Sequence, residues 1–221
     1  MDLFIDSANP EEVRTAWDWG IINGVTTNPT LAAKAGLPYR DLVGEILSIM
    51  DEDGVLNLEV VATEYTKMIT EARALAEIDN RVVVKIPCTQ DGIKACHKLS
   101  SSGILVNITL VFSATQALLA AKAGAFYVSP FVGRLDDIEA NAGDDVVAKI
   151  LEIYQNYEYE TQVLYASVRD VEHVENAALL GADVATVPFE ILQKLIHHPL
   201  TDKGLATFME DWQKSGLQLP I

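Results

Sequence analysis

Short apolar runs rich in β-branched residues recur along the chain. Each is followed by a polar turn, a stretch of helical periodicity and often a glycine before the next run. The runs are LFIDSA (3–8), GVTTNP (24–29), VLNLEVVA (55–62), RVVVKIPC (81–88), LVNITLV (105–111), AFYVSPFV (125–132), QVLYASV (162–168) and DVATVPFE (183–190). Their length and composition predict strands. The intervening stretches carry helix-start signals. Asn9-Pro10-Glu11-Glu12 supplies an N-cap, a proline at the first helical position and acids in the first turn. Ser113-Ala114-Thr115-Gln116 has the spacing of a capping box. Gly20, Gly36, Gly103, Gly124 and Gly181 fall where helices should stop.

Eight strands alternating with helices predict parallel pairing, because parallel neighbours need crossover connections. A closed eight-stranded barrel and an open doubly wound sheet both satisfy this. The open sheet would normally place a glycine-rich phosphate loop after its first strand, but neither GxGxxG nor a P-loop occurs anywhere. The expectation is a single α/β domain over residues 1–221, a (β/α)8 TIM barrel with a C-terminal helix. In that helix Leu205, Phe208, Met209 and Trp212 recur at helical spacing. The stripe they form must be buried on another subunit or on its own barrel.

Composition narrows the function. Apolar residues make up 49% of the chain, enough for a core, and 16 basic against 32 acidic residues leave a net charge of −16. That balance disfavours nucleic acid or an anionic membrane as a partner, and any bound phosphate must be held by a local arrangement. The first residues, MDLFIDSANPEE, lack a basic n-region, and the apolar stretch 103–133 is broken by Asn107, Thr109, Gln116 and Lys122. The expectation is a soluble, cytoplasmic protein with no membrane span. Cys88 and Cys96 have neither CxxC spacing nor a histidine at metal spacing and read as reduced core or helix thiols.

Strand residues alternate between barrel interior and helix layer, so polar pairs at i, i+2 demand an explanation. They recur near strand ends: Thr26/Asn28, Asn57/Glu59, Asn107/Thr109 and Ser167/Arg169, with Ser129 and Phe131 sharing a phase on the sixth strand. Their neighbours, including Val106, Ile108 and Leu110, suit the helix-facing side. Convergence at the C-terminal mouth, where barrel enzymes keep their sites, predicts an active site there. Lys85, in phase with Val83 within RVVVKIPC, points inward. Burial disfavours an ammonium; a shift from about 10.4 to about 7 corresponds to roughly 4–5 kcal/mol and gives an amine nucleophile at neutral pH. An internal ion pair with Asp6 or Glu59, or snorkelling to the mouth, is the structural alternative. Asp6 and Glu59 are candidate acid and base groups, Asp6 also suiting a helix cap. Arg134 and Arg169 are candidate phosphate ligands, with Gly133 allowing close backbone approach; pairing with Asp136, Asp137 or Asp170 is the alternative. His97, His173, His197 and His198 form no ligand set and read as surface or capping residues.

The motifs MDLFIDSAN, GVTTNPTL, VVKIPCT, VNITLVFS, YVSPFVGR and YASVR, in this order, closely resemble the transaldolase family, over nearly the whole chain and most like its short subfamily containing fructose-6-phosphate aldolases. The resemblance implies a (β/α)8 barrel of class I aldolases that uses a lysine Schiff base and no cofactor or metal. It implies that Lys85 forms the Schiff base and that Asp6 acts on the hydroxyl proton during C3–C4 cleavage. Glu59 and Thr109 then handle proton transfer through a water, while Asn28, Asn107 and Ser129 hold the dihydroxyacetone hydroxyls. Arg134, Ser167 and Arg169 clamp the phosphate, with Thr26 and Phe131 also lining the substrate site. Fructose-6-phosphate aldolases carry Gln and Tyr where this chain has Glu59 and Phe131, so both positions follow transaldolase. YASVR departs from the family's usual SFR, with Val168 in place of the aromatic. The implied activity moves a dihydroxyacetone unit from sedoheptulose 7-phosphate to glyceraldehyde 3-phosphate in the pentose phosphate pathway. The implied assembly is a homo-oligomer, a pentamer or decamer; the alternatives are a fructose-6-phosphate aldolase or a non-catalytic sugar-phosphate-binding barrel.

Overall fold

Alternation along the strands sorts the side chains into two cores. Eight parallel strands carry them: β1 (Asp2–Asp6), β2 (Gly24–Thr26), β3 (Val55–Glu59), β4 (Val82–Pro87), β5 (Val106–Val111), β6 (Tyr127–Pro130), β7 (Gln162–Tyr165) and β8 (Val184–Val187). They pair in chain order, and β8 returns to β1 to close the barrel. The computed structural model describes residues 1–219. Phe4, Val83, Tyr127, Leu164, Ala166 and Val184 face inward and pack on one another, with Phe4 meeting Tyr127 edge to face at 6.1 Å. The neighbouring residues Ile5, Val25, Leu56, Leu58, Val84, Ile86, Val106 and Ile108 face outward into the helices. Each aliphatic side chain buried there contributes roughly 1.5–3 kcal/mol, which fixes the phase of every strand.

The helices are α1 (Pro10–Trp17), α2 (Pro29–Ala35), α3 (Tyr39–Ile49), α4 (Tyr65–Ala76), α5 (Gln90–Ser100), α6 (Ala114–Lys122), α7 (Val132–Asp136), α8 (Ala142–Tyr157), α9 (Val171–Leu180), α10 (Phe189–Ile196) and α11 (Pro199–Ser215). Their starts follow the cap signals. The Glu11 N–H donates to Asn9 Oδ1 at 3.1 Å, and the Gln116 N–H donates to Ser113 Oγ at 3.2 Å. Gln116 reaches back one residue further than a capping box requires, accepting the Phe112 N–H at 2.8 Å. The glycines expected at helix ends all take positive φ.

Every strand is shorter than the run that predicts it; β6 ends at Pro130, leaving Phe131 at the start of α7, and three further strand expectations need correction. β2 stops at Thr26 because Asn28 turns the chain, capping α2 by accepting the Leu31 N–H at 2.9 Å. β7 stops at Tyr165; Ser167 takes φ +64°, a left-handed conformation incompatible with an extended strand, so Ser167 and Arg169 belong to a loop. In β5 a bulge between Ile108 and Val111 puts Leu110 at φ +57°. Val111 thereby takes the helix-facing place expected of Leu110, which is left only partly buried. Among the described residues, no helix is long and apolar enough to cross a membrane. α11 buries none of its residues against its own barrel, excluding that alternative for its apolar stripe.

Candidate active site

Strand register builds the floor of the site. Glu59, Lys85 and Asn107 are successive partners across β3, β4 and β5. Lys85 is 5% exposed. Its ammonium donates to the Thr27 carbonyl at 2.8 Å and pairs with Glu59 at 3.2 Å. The ion pair offered as an alternative therefore exists, and the same amine also lines an open cavity at the C-terminal mouth.

Beside Lys85 a polar relay crosses the barrel. Ser129 Oγ donates to Asn107 Oδ1 at 2.7 Å, and Asn107 Nδ2 donates to Asn57 Oδ1 at 2.8 Å. Asn57 Nδ2 and Thr109 Oγ1 are buried without a hydrogen-bond partner among the described residues, which leaves an amide donor and a hydroxyl available at this level. On the opposite wall the Thr26 hydroxyl contacts Asp6 Oδ1 at 2.8 Å and Thr186 Oγ1 at 2.6 Å. Burial pushes the Asp6 carboxyl above its ordinary range, while the nearby Lys85 charge and the Thr26 hydroxyl pull it back. The two carboxylates thus occupy different environments, Glu59 against the amine and Asp6 bonded to Thr26 in the cavity wall.

The rim carries the cations. Arg134 lies on α7 with its guanidinium over the Phe131 ring, 5.0 Å from the centroid. Arg169 extends from the loop after β7 and pairs with Asp137 at 3.1 Å. An exposed pair of this kind exchanges readily. Gly133 brings the two segments together: its N–H donates to the Ser167 carbonyl at 3.2 Å, and a Cβ there would lie 2.2 Å from that oxygen. The close approach expected of Gly133 is thus to the Ser167 backbone.

The cavity brings together Asp6, Thr26, Asn28, Lys85, Ser129, Phe131, Arg134, Ser167 and Arg169. Glu59, Asn107 and Thr109 do not line it; Glu59 opens instead toward a separate groove beside Tyr39 and Val61. Burial and the Glu59 charge push the Tyr39 phenol upward. Several participants escape sequence reasoning. Thr186 lines the cavity and bonds to Thr26, yet within VATV it reads as an ordinary β-branched strand residue. The Thr27 carbonyl that receives Lys85 is a backbone group without a sequence signature. Asn57 stands out as an inward polar residue, but its bond to Asn107 links strands fifty residues apart. His173 is not a surface group, its side chain being 12% exposed, but the capping role expected of it holds: from the first turn of α9 it accepts the Arg169 N–H and lies against Asp136. No group of three His, Cys, Asp or Glu side chains among the described residues is placed to hold a metal.

A family model described as Transaldolase/Fructose-6-phosphate aldolase matches residues 3–219. A probable transaldolase of Aquifex aeolicus is 53% identical over 214 residues, 97% of this chain and of that protein. The probable transaldolase of Hydrogenobaculum sp. is 54% identical with the same coverage. That of Sinorhizobium medicae is 52% identical over 219 residues, 99% of this chain and all of the relative. With a closed parallel barrel and a lysine at its mouth, the chain belongs to the transaldolase/fructose-6-phosphate aldolase family.

Proposed function

We propose that this protein is a transaldolase that transfers a dihydroxyacetone unit between sugar phosphates through a Schiff base on Lys85. The observation carrying this reading is an inward lysine at the cavity floor, paired with one carboxylate and near a second whose carboxyl burial pushes upward. With its proton passed to Glu59, the Lys85 amine adds to C2 of the ketose; loss of water then gives the iminium. Thr109, whose hydroxyl is uncommitted, and Glu59 serve that dehydration. Asp6 accepts the C4-hydroxyl proton, the C3–C4 bond breaks, and its electron pair flows into the iminium to form an enamine. An aldehyde departs, a second aldehyde adds by the reverse steps, and hydrolysis restores the amine. Asn28, Asn107 and Ser129 hold the hydroxyls of the retained unit. Thr26 steadies Asp6, and Arg134, Ser167 and Arg169 receive the phosphate.

Glu59 and Phe131 favour transfer over release of dihydroxyacetone. Phe131 presents a ring packed edge-on against Phe112 at 5.9 Å and no hydroxyl to protonate the enamine. The substrates follow the implied reaction, sedoheptulose 7-phosphate and glyceraldehyde 3-phosphate, as in the pentose phosphate pathway. A cytoplasmic setting accords with two free cysteines, of which Cys96 has its thiol pushed up to about 12 by burial. The α11 stripe supports a homo-oligomer: Leu205, Phe208, Met209 and Trp212 are 40–72% exposed, and a second copy of the chain would cover them. Light scattering at micromolar concentration is expected to give a multiple of 24.1 kDa; a monomer refutes the assembly.

The decisive experiment is borohydride trapping with fructose 6-phosphate, read by peptide mass spectrometry. A dihydroxyacetone-derived adduct on Lys85 is expected. An adduct on another lysine, or none, overturns the mechanism. Free dihydroxyacetone released as fast as transfer proceeds would reassign the chain to the aldolase activity.

A further inference from the structure

The two rim arginines come from different segments, and one side chain ties those segments together. His173 sits in the first turn of α9, whose N-cap Asp170 accepts the His173 backbone N–H at 2.9 Å. From there the imidazole reaches back: its Nδ1 accepts the backbone N–H of Arg169 at 3.1 Å. The far side of the ring, Nε2, lies 3.0 Å from Asp136 Oδ2 at the end of α7, the helix that carries Arg134. Asp136 is itself fixed, because its other oxygen accepts the Gly143 N–H at 2.9 Å. A backbone N–H can only donate, so Nδ1 must present its lone pair to Arg169 and the ring proton sits on Nε2, facing the carboxylate. The tautomer that satisfies one contact also satisfies the other.

The loop held in this way needs holding. Ser167, two residues before Arg169, is at φ +64°, which costs about 1–3 kcal/mol for a residue with a Cβ and persists only where the surroundings impose it. The contact at Gly133 ties Ser167 to α7, and the Arg169 side chain packs over the same glycine, where a Cβ would lie 2.7 Å from its Cγ; neither contact engages the Arg169 backbone N–H. The Arg169 guanidinium is more than half exposed, and its one acidic partner among the described residues, Asp137, is exposed as well. The His173–Asp136 contact that anchors the link is better shielded, its two side chains being 12% and 20% exposed.

We propose that His173 is a positioning residue that fixes the Arg169 loop against α7, so that Arg134 and Arg169 meet a single substrate phosphate. The proposal rests on the reading of both arginines as the phosphate clamp. His173 touches neither substrate nor reacting atoms; it acts through the backbone of Arg169 and the carboxylate of Asp136.

The test compares phosphate-dependent with phosphate-independent readouts. Inorganic phosphate, used as a competitive inhibitor, reports the clamp alone. Borohydride trapping of dihydroxyacetone on Lys85 reports the floor alone. His173→Ala is expected to raise the inhibition constant for phosphate and the KM for fructose 6-phosphate by roughly three- to tenfold, the scale of one lost hydrogen bond. Trapping and kcat should stay within about twofold on the same scale. Two conservative variants divide the link. His173→Asn keeps an acceptor near the Nδ1 position for Arg169, whereas His173→Gln keeps a donor near the Nε2 position for Asp136, and each should recover part of the loss. In an Arg169→Ala background, His173→Ala should add little further.

Should His173→Ala fail to fold, His173→Gln, which removes only the Arg169 contact, must show the phosphate effect. Unchanged phosphate inhibition in a folded His173 variant, or equal losses in trapping and phosphate binding, overturns the positioning role. If Arg134→Ala and Arg169→Ala leave phosphate inhibition unchanged while Lys85 still traps, the clamp assignment falls and takes the proposal with it. Failure to trap on Lys85 in the parent protein would instead strike the Schiff-base reading.

Discussion

The floor and the rim of the cavity are built to different standards. On the floor, Lys85 and Ser129, with Asn57, Asn107 and Thr109 packed behind them, are at most 5% exposed and sit on strands; Ser129, Asn107 and Asn57 are bonded in series, and Lys85 is held by Thr27 and Glu59. On the rim, Arg134 occupies a five-residue helix and Arg169 a loop, and the Arg169–Asp137 pair is more than half exposed at both ends. Buried polar groups act in a low dielectric and lose heavily if a partner is removed. Exposed charges can exchange partners at little cost. Bond-making groups are thus held where they cannot rearrange, and affinity is assigned to groups able to accept an arriving phosphate.

The sharpest break in this contrast is at Lys85. Lys85→Met should lower transfer by roughly four orders of magnitude or more, the scale of losing a covalent nucleophile, and should eliminate borohydride trapping. Activity within tenfold of the parent would remove the floor from the chemistry.

Asp6→Asn should lower kcat by roughly 10²–10⁴-fold. The same residue predicts a pH dependence. A general base must be ionised, so activity is present above its folded pKa and is lost as pH falls through it. Burial raises that pKa, and the acid limb should therefore lie above the ordinary carboxylate value. A limb at or below an unperturbed aspartate would assign the base elsewhere.

Moving to the rim, Arg134→Ala should raise KM for phosphorylated substrates by roughly 10- to 150-fold, equivalent to about 1.5–3 kcal/mol, with the melting temperature unchanged. Asn107→Ala is its floor counterpart. It strands Ser129 and Asn57 and should cost about 1–3 kcal/mol of stability together with activity. Calorimetry on both variants tests the distinction: equal melting temperatures would erase it. The smallest effect is expected from Asp137→Ala, which frees Arg169 and should lower KM for fructose 6-phosphate by at most a few fold.

Much of the floor was legible because period-two alternation admits only two faces. Lys85 between Val84 and Ile86, or Asn107 between Val106 and Ile108, has its direction determined by its apolar neighbours. The eight-strand order was legible from the repeat itself. Prediction failed where the backbone leaves ordinary φ/ψ space: nothing in VNITLV announces that Leu110 adopts φ +57°, nor does YASVR announce Ser167 at +64°. It also failed for contacts distant in sequence. His173 is 37 residues from Asp136, brought near by the pairing of β6 with β7, and Thr186 is 160 residues from Thr26, brought near by barrel closure. Arg169 was legible as a cation at the site, whereas its resting partner stayed open among three aspartates until the fold selected Asp137.

The aromatic layer formed by Phe4 and Tyr127 has a consequence for the order of events. It fills the barrel beneath Lys85, so the cavity has one entrance and no rear exit through the barrel axis. The departing aldehyde and the incoming one must use the same doorway and the same space over the retained three-carbon fragment. Two aldehydes cannot queue inside, and the first has to vacate before the second docks. Bisubstrate kinetics should accordingly follow a ping-pong scheme, with parallel double-reciprocal lines and each aldehyde competing with the other for the enamine-bearing enzyme.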